Sequence, residues 1–140
     1  IDVIQLPYNF IDRRAEIFFP IMKKKHIEIQ VRSIFLQGSL LTKIKTNKKL
    51  SKLFDEFNKI SGKNNIKKIQ LALSFVLRNN YIDKVIFGVR NYKEFMQLNS
   101  VDKLNFDLSQ LDKLKSNDEE IINPLKWKEL ILEKKKKINS

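Results

Sequence analysis

"IEIQVRSIFLQGSLL", residues 27–41, sets the fold class. Ile27, Ile29 and Val31 alternate with Glu28, Gln30 and Arg32, which is the period of a half-buried strand. We read the strand over residues 27–34, followed by a bend containing Gly38 and a return to apolar residues. An arginine therefore stands at the strand's C-terminal end, just before a glycine-containing loop. In parallel α/β proteins ligands gather at such strand ends, so the neighbouring elements decide what these residues mean.

Upstream, "VIQLPY" (3–8) reads as a short buried strand, and "IDRRAEIFFPIMKK" (11–24) spaces Ile11, Ala15, Phe18, Phe19 and Met22 as a helix does. Pro20 predicts a bend or early stop there. Downstream, Leu50, Leu53, Phe54, Phe57 and Ile60 share one helical face, with Gly62 expected to end that helix. "IKKIQLALSFVLRN" predicts a second helix. "KVIFGV" (84–89) is a continuous apolar run of the kind found in strands buried on both faces. "NYKEFMQLN" opens a further helix with Asn91 as its N-cap. "DLSQLDKLKS" and "PLKWKELILEKKKK" predict two more helices, giving a C-terminal helical tail over 105–140.

Strand, helix, strand, helix pair, strand, helix is the order of a parallel sheet with helical crossovers. Three strands would leave two long open edges and cover little of the helices' apolar faces. The expected architecture is the C-terminal part of a (β/α)8 barrel, a fold of about 250 residues. Residues 1–140 read as a single partial domain. The opening "IDVIQLPYN", an apolar run with no lead-in, reads as cut from something longer. Alone, such a half-barrel should aggregate, dimerise through its open seam or stay loosely packed.

The composition narrows the classes. With 140 residues, 42% of them apolar, the chain can build a core. There is no cysteine and one histidine, so disulfides, thiolate metal sites and histidine clusters are excluded. No apolar run reaches the roughly 20 residues of a membrane span, and no secretory pattern opens the chain. A soluble, cytoplasmic protein is expected. The net charge of +12 raises nucleic acid as a partner. Against this, the lysines are spread along the chain with acids between them, and heavy use of Lys, Asn and Ile fits a coding bias as well as a basic groove. Three glycines cannot supply either glycine-rich phosphate loop. Asp55-Glu56 and Asp118-Glu119-Glu120 read as solvated carboxylates on a helix face and in a loop, and no serine or cysteine nucleophile has a suitable histidine.

Chemistry is expected in the three loops that leave the strands. Gln5 lies in an otherwise apolar strand and needs a partner if buried. Arg32 can stack on an aromatic face or bind an anion, although taken in isolation pairing with a nearby carboxylate explains it better. Gly38 permits positive φ or a close backbone approach. In "GVRNYKE" a strand ends at Gly88, Arg90 follows and a helix begins, an arrangement that favours a phosphate.

In this order the segments "IQLPYNFIDRR", "IEIQVRSIFLQGSLL" and "VIFGVRNYKEFMQL" resemble the C-terminal half of the aldo/keto reductases, NADP(H)-dependent (β/α)8-barrel enzymes that reduce carbonyls to alcohols. The resemblance covers nearly the whole chain, down to "NPLKW" (123–127). It implies that Gln5 binds the nicotinamide carboxamide and that Arg32 stacks on the nicotinamide ring. Ser33, Phe35, Gln37 and Gly38 correspond to the segment around the cofactor pyrophosphate. Gly88, Arg90, Glu94 and Gln97 correspond to positions facing the adenosine 2′-phosphate and adenine; Leu98 stands where the family carries asparagine. The family's catalytic tyrosine, lysine, aspartate and histidine lie on earlier strands, and Tyr8, Tyr81 and Tyr92 are outside that motif, so no catalytic residue is assigned. The implied cofactor is NADP(H), and the implied partners are a carbonyl substrate and the N-terminal half of the barrel, with no nucleic acid and no membrane. Two alternatives stay open: a non-catalytic half-barrel that retains nucleotide binding, and a basic nucleic-acid binder.

Overall fold

The computed structural model describes residues 1–40, 47–98, 101 and 104–127. Three parallel strands form one sheet in the order β1 (Val3–Pro7), β2 (Glu28–Arg32), β3 (Lys84–Val85). Helix α1 (Phe19–Lys24) connects the first pair, and α2 (Lys48–Lys63) and α3 (Lys68–Leu77) the second; α4 (Tyr92–Gln97) and α5 (Glu119–Ile122) follow. This is the strand-helix alternation of a partial (β/α) barrel, with β2 central.

The register pairs Ile4 with Ile29 and Leu6 with Val31, while Gln5 pairs with Gln30 and Pro7 with Arg32. Residues in register point to the same side of a sheet, so alternation gives two unlike faces. The outer face, with Ile29 and Val31 fully buried, meets the helices. Burying one such side chain is worth roughly 1.5–3 kcal/mol, which fixes the register against a one-residue slip. The inner face carries Gln5, Glu28, Gln30, Arg32 and Lys84. Gln30 donates to Glu28 at 2.6 Å, Lys84 pairs with Glu28 at 3.0 Å, and Gln5 donates to Gln30 at 3.4 Å. The bond from Gln30 foremost, and then that from Lys84, hold the Glu28 carboxyl below its usual range.

The core lies between sheet and helices. Phe10 and Phe57 stack with centroids 4.4 Å apart, and Tyr8 packs on Phe19 and Phe75 at 5.4 and 5.5 Å. Arg13 is buried within it: its guanidinium donates to the Phe10 and Leu111 carbonyls, pairs with Asp112 at 2.7 Å and lies 4.5 Å from the Phe75 ring centre. The segment from Leu108 to Trp127 is thereby clamped against the strand-helix layers, and Leu111, Leu114, Ile121, Ile122 and Trp127 are buried in the same core.

Several boundaries differ from the sequence reading. The predicted helix 11–24 begins as a 3-10 turn over Arg14–Phe18, and Pro20 falls at the start of α1, where its missing N–H costs nothing, instead of bending it. β2 ends at Arg32, because Ser33, Leu36 and Gln37 take positive φ. α2 passes through Gly62 to Lys63, and the left-handed residue beyond it is Asn65, at φ +52°. β3 is two residues long, and Ile86, Phe87 and Val89 are exposed, not buried on both faces. The predicted helix at 107–116 is a 3-10 helix over Leu108–Leu114. Asp118 caps α5, and so the acidic triplet is not a plain loop. The last predicted helix is described only over 124–127; its remainder, like Leu41 and Asn99, lies outside the described residues.

Candidate functional site

Each strand delivers one loop to the same end of the sheet. The Tyr8 amide bonds the Arg32 carbonyl and the Ile86 amide bonds the Val31 carbonyl, so pairing continues just past β1 and β3. Asn9 then ties two exits together. Its amide group donates to the Ser33 carbonyl at 3.2 Å, while its carbonyl oxygen accepts from the Ile11 and Asp12 amides at 3.0 and 2.9 Å.

A cleft of about 420 Å³ opens between the exits of β1 and β2, lined by Pro7, Asn9, Arg14, Arg32, Ser33 and Gln37, with Glu119 and Leu125 of the C-terminal segment closing its rim. Arg32 is exposed there, and its guanidinium donates to Ser33 Oγ at 3.3 Å. Among the described residues no carboxylate pairs with it. Arg14 differs: it is held by Asp12 at 2.9 Å and Glu119 at 3.0 Å.

The loop after β2 places three non-glycine residues in the left-handed region beside Gly38. Leu36, Gln37 and Gly38 have φ of +51°, +54° and +79°, and Ser33 +60°. Non-glycine residues reach this region at a cost, which a folded scaffold must sustain. The Gly38 amide bonds the Phe35 carbonyl at 2.9 Å, and Ser39 Oγ bonds the Leu36 carbonyl at 2.6 Å. Phe35 is buried against Phe87, centroids 5.6 Å apart, and so supports the loop from beneath instead of lining the cleft.

A second cleft, of about 500 Å³, lies at the start of α4, between it and the start of α3. Arg90, Glu94 and Gln97 line it, joined by Lys67, Lys68 and Lys93. Asn91 caps α4, its side chain accepting from the Glu94 amide at 2.9 Å. Glu94 receives three bonds from Arg90, two from the guanidinium at 2.8 and 2.6 Å and one from the backbone at 2.8 Å. The guanidinium chiefly holds the Glu94 carboxyl below its usual range. Gly88 is exposed and open, with no neighbour within 4 Å of where a Cβ would stand.

The ten candidate positions thus divide. Arg32, Ser33 and Gln37 share the first cleft, and Arg90, Glu94 and Gln97 share the second. Gln5 sits on the inner face below them, Gly38 and Phe35 shape the loop, and Gly88 leads to α4. The sequence reading missed Asn9, Arg14, Glu119, Lys67 and Lys68. Only Asn9 carried a signal, standing directly after a strand. Tyr8 is buried away from the inner face, donating to Glu16 at 2.6 Å and accepting from Asn79 at 3.1 Å. Among the described residues no group of three His, Asp or Glu could hold a metal, and no helix is long and apolar enough to cross a membrane.

The chain is thus a partial α/β barrel with a cationic residue at the end of its central strand and two clefts at the strand exits. The family model for the aldo/keto reductase family matches residues 1–119, and the chain belongs to that family. The fold is shared with solved aldo-keto reductases. AKR11C1 from Bacillus halodurans is 18% identical in its apo form, with a TM-score of 0.62, covering 84% of this chain and 44% of that one. Its holo form gives a TM-score of 0.65 at 18% identity, over 84% of this chain and 42% of that one. A thermostable aldo-keto reductase in complex with the inhibitor epalrestat gives 0.60 at 14% identity, over 80% and 39%. The chain therefore spans less than half the length of these structures. No match was found among curated protein sequences.

Proposed function

We propose that this chain is the cofactor-holding part of an NADP(H)-dependent aldo/keto reductase that reduces an aldehyde or ketone to an alcohol. The observation that carries the reading is Arg32: a guanidinium at the end of β2, exposed to the cleft, with no carboxylate partner among the described residues. A structural arginine of the kind seen at Arg13 or Arg14 is bonded to acids; Arg32 is left able to lie flat against an aromatic ring. When bound, the nicotinamide supplies the hydride equivalent for carbonyl reduction.

The chain's own groups have distinct tasks in this reading. Gln5, only weakly engaged by Gln30, offers its amide to the carboxamide. Arg32 provides the platform for the ring. Ser33, Gln37 and Gly38 present a polar, left-handed loop to the pyrophosphate, braced by buried Phe35. Gly88, Arg90, Glu94 and Gln97 form the adenosine end. We assign no proton donor to the carbonyl among the described residues, and Tyr8 in particular is bonded to Glu16 inside the core. The 140-residue chain by itself is accordingly expected to be inactive.

Two measurements test this. The protein containing the whole barrel should turn over a panel of aldehydes and ketones with NADPH, and no turnover with any of them would sink the activity. In the same protein Arg32→Ala should weaken NADPH binding at least tenfold, about 1.4 kcal/mol; unchanged binding would remove Arg32 from the site.

A further inference from the structure

The inner face of the sheet carries a chain of hydrogen bonds with a fixed direction. The register sets Gln5, Gln30 and Lys84 side by side across β1, β2 and β3, and Glu28 lies two residues before Gln30 on the same face. The Lys84 ammonium is 3.0 and 3.1 Å from the two Glu28 oxygens, and the Gln30 amide NH2 donates to the same carboxylate at 2.6 Å. The bond from Gln30 foremost, then that from Lys84, favours the ionised form of Glu28, and an ionised carboxylate only accepts. Gln30 must therefore turn its NH2 to Glu28 and its carbonyl oxygen to Gln5, whose own NH2 meets that oxygen at 3.4 Å. Gln5 is left presenting its carbonyl oxygen. Turning it over would set oxygen against oxygen, a loss that grows where a closed barrel excludes water.

We infer that Gln30, with Glu28 and Lys84 behind it, is a positioning residue that fixes the sense of the Gln5 amide, so that Gln5 meets the nicotinamide carboxamide as an acceptor and takes its N–H. The inference rests on the cofactor reading above and deepens it, by adding three residues that act through Gln5. Arg32 stands two residues beyond Gln30 on the same face, so one pair of strands holds both the ring and its carboxamide. Polar side chains at these places are costly in a barrel interior, where branched apolar ones are the rule, and positioning gives them a task.

The test is calorimetric titration of the protein containing the whole barrel with NADP⁺ and with its acetylpyridine analogue, in which a methyl group replaces the carboxamide NH2 and only the carbonyl oxygen remains. The unaltered protein should prefer NADP⁺ by about fivefold or more, the scale of one hydrogen bond. Gln30→Leu should cut the preference to less than about twofold, because Gln5 is then free to turn its NH2 to the acetyl oxygen. Gln30→Glu should keep the preference, because a carboxylate still accepts from Gln5. A role confined to packing predicts the opposite order, since leucine suits a barrel interior and a second carboxylate beside Glu28 does not. Should Gln30→Leu fail to fold, Glu28→Gln decides: it keeps the size of the side chain but lets the Gln30 amide reverse, and should lower the preference at least about twofold. Preference retained in Gln30→Leu or Glu28→Gln, preference lost in Gln30→Glu, or none in the unaltered protein overturns the inference and leaves the cofactor reading standing. Binding of neither nucleotide overturns both.

Discussion

Arg13 carries a charge almost out of water, and it is kept there by two carbonyls, one carboxylate and an aromatic face. Arg13→Leu removes the donor from the Phe10 and Leu111 carbonyls, for which we expect about 2–4 kcal/mol of lost stability. Asp112→Asn should cost far less, because that carboxylate is 64% exposed and water replaces its partner. Urea unfolding compares the two, and equal losses would refute the clamp. Tyr8 gives a pH signature. Burial foremost, then its bond to Glu16, raises its hydroxyl well above the ordinary tyrosine value. The unfolded chain loses that proton near pH 10 while the folded chain keeps it, so this stabilisation is full below about pH 10 and declines as pH rises beyond. Tyr8→Phe should flatten the decline in a urea-midpoint series from pH 8 to 11; an unchanged slope would exclude Tyr8 as its source. Neither role was legible in "YNFIDRR", because two of the partners of Arg13, Leu111 and Asp112, lie 98 and 99 residues away and a side chain's depth is not written beside it. Arg32 was legible as a candidate, since its place at a strand end follows from local alternation.

The long amphipathic elements were legible and the short ones were not. The apolar faces of α2 and α3 are periodic over many residues, and both helices formed where the spacing put them. β3 was overread: its apolar run fits a doubly buried strand, yet Ile86, Phe87 and Val89 lie where a neighbouring strand and the barrel interior would cover them. Apolar content records what a segment is made to contact, not what this chain alone provides. Amide exchange should therefore be slowest in central β2 and markedly faster at Ile86; equal protection would show that β3 is as firmly held as the centre. The cap of α2 reaches further than its own helix. Asn47 accepts from the Leu50 amide at 2.8 Å and donates to the Glu120 carbonyl at 3.0 Å, joining α2 to α5. Asn47→Ala should cost about 1–2 kcal/mol in urea unfolding, the upper range of cap substitutions, whereas a loss of only a few tenths would mean the link to α5 contributes nothing.

At the scale of the molecule, two borders stay apolar and uncovered. Val3 on edge strand β1 and Phe18 and Ile21 at α1 are exposed, as are Phe87 just after edge strand β3 and Phe95 and Met96 of α4. Between them the inner face carries the Gln5–Gln30–Glu28–Lys84 network, where closed barrels of this kind pack layers of branched side chains. The 140-residue chain alone should self-associate through these borders; sedimentation velocity showing a monomer at all concentrations, with no binding of a hydrophobic dye, would contradict this. The barrel class was legible because three strands in this order cannot close on themselves. The division of the candidate site into two clefts was not, because it depends on how α3 and α4 meet, which no local pattern encodes.

The clamp made by Arg13 also sets a schedule for synthesis. Its partner Asp112 leaves the ribosome 99 residues later, about 5–20 s at ordinary elongation rates. Through that interval the arginine and the underside of the first strand-helix unit remain wet. This core cannot be completed until the segment from Leu108 to Trp127 has emerged, so chaperones that bind exposed apolar chain have access to the strand-helix layers throughout that interval.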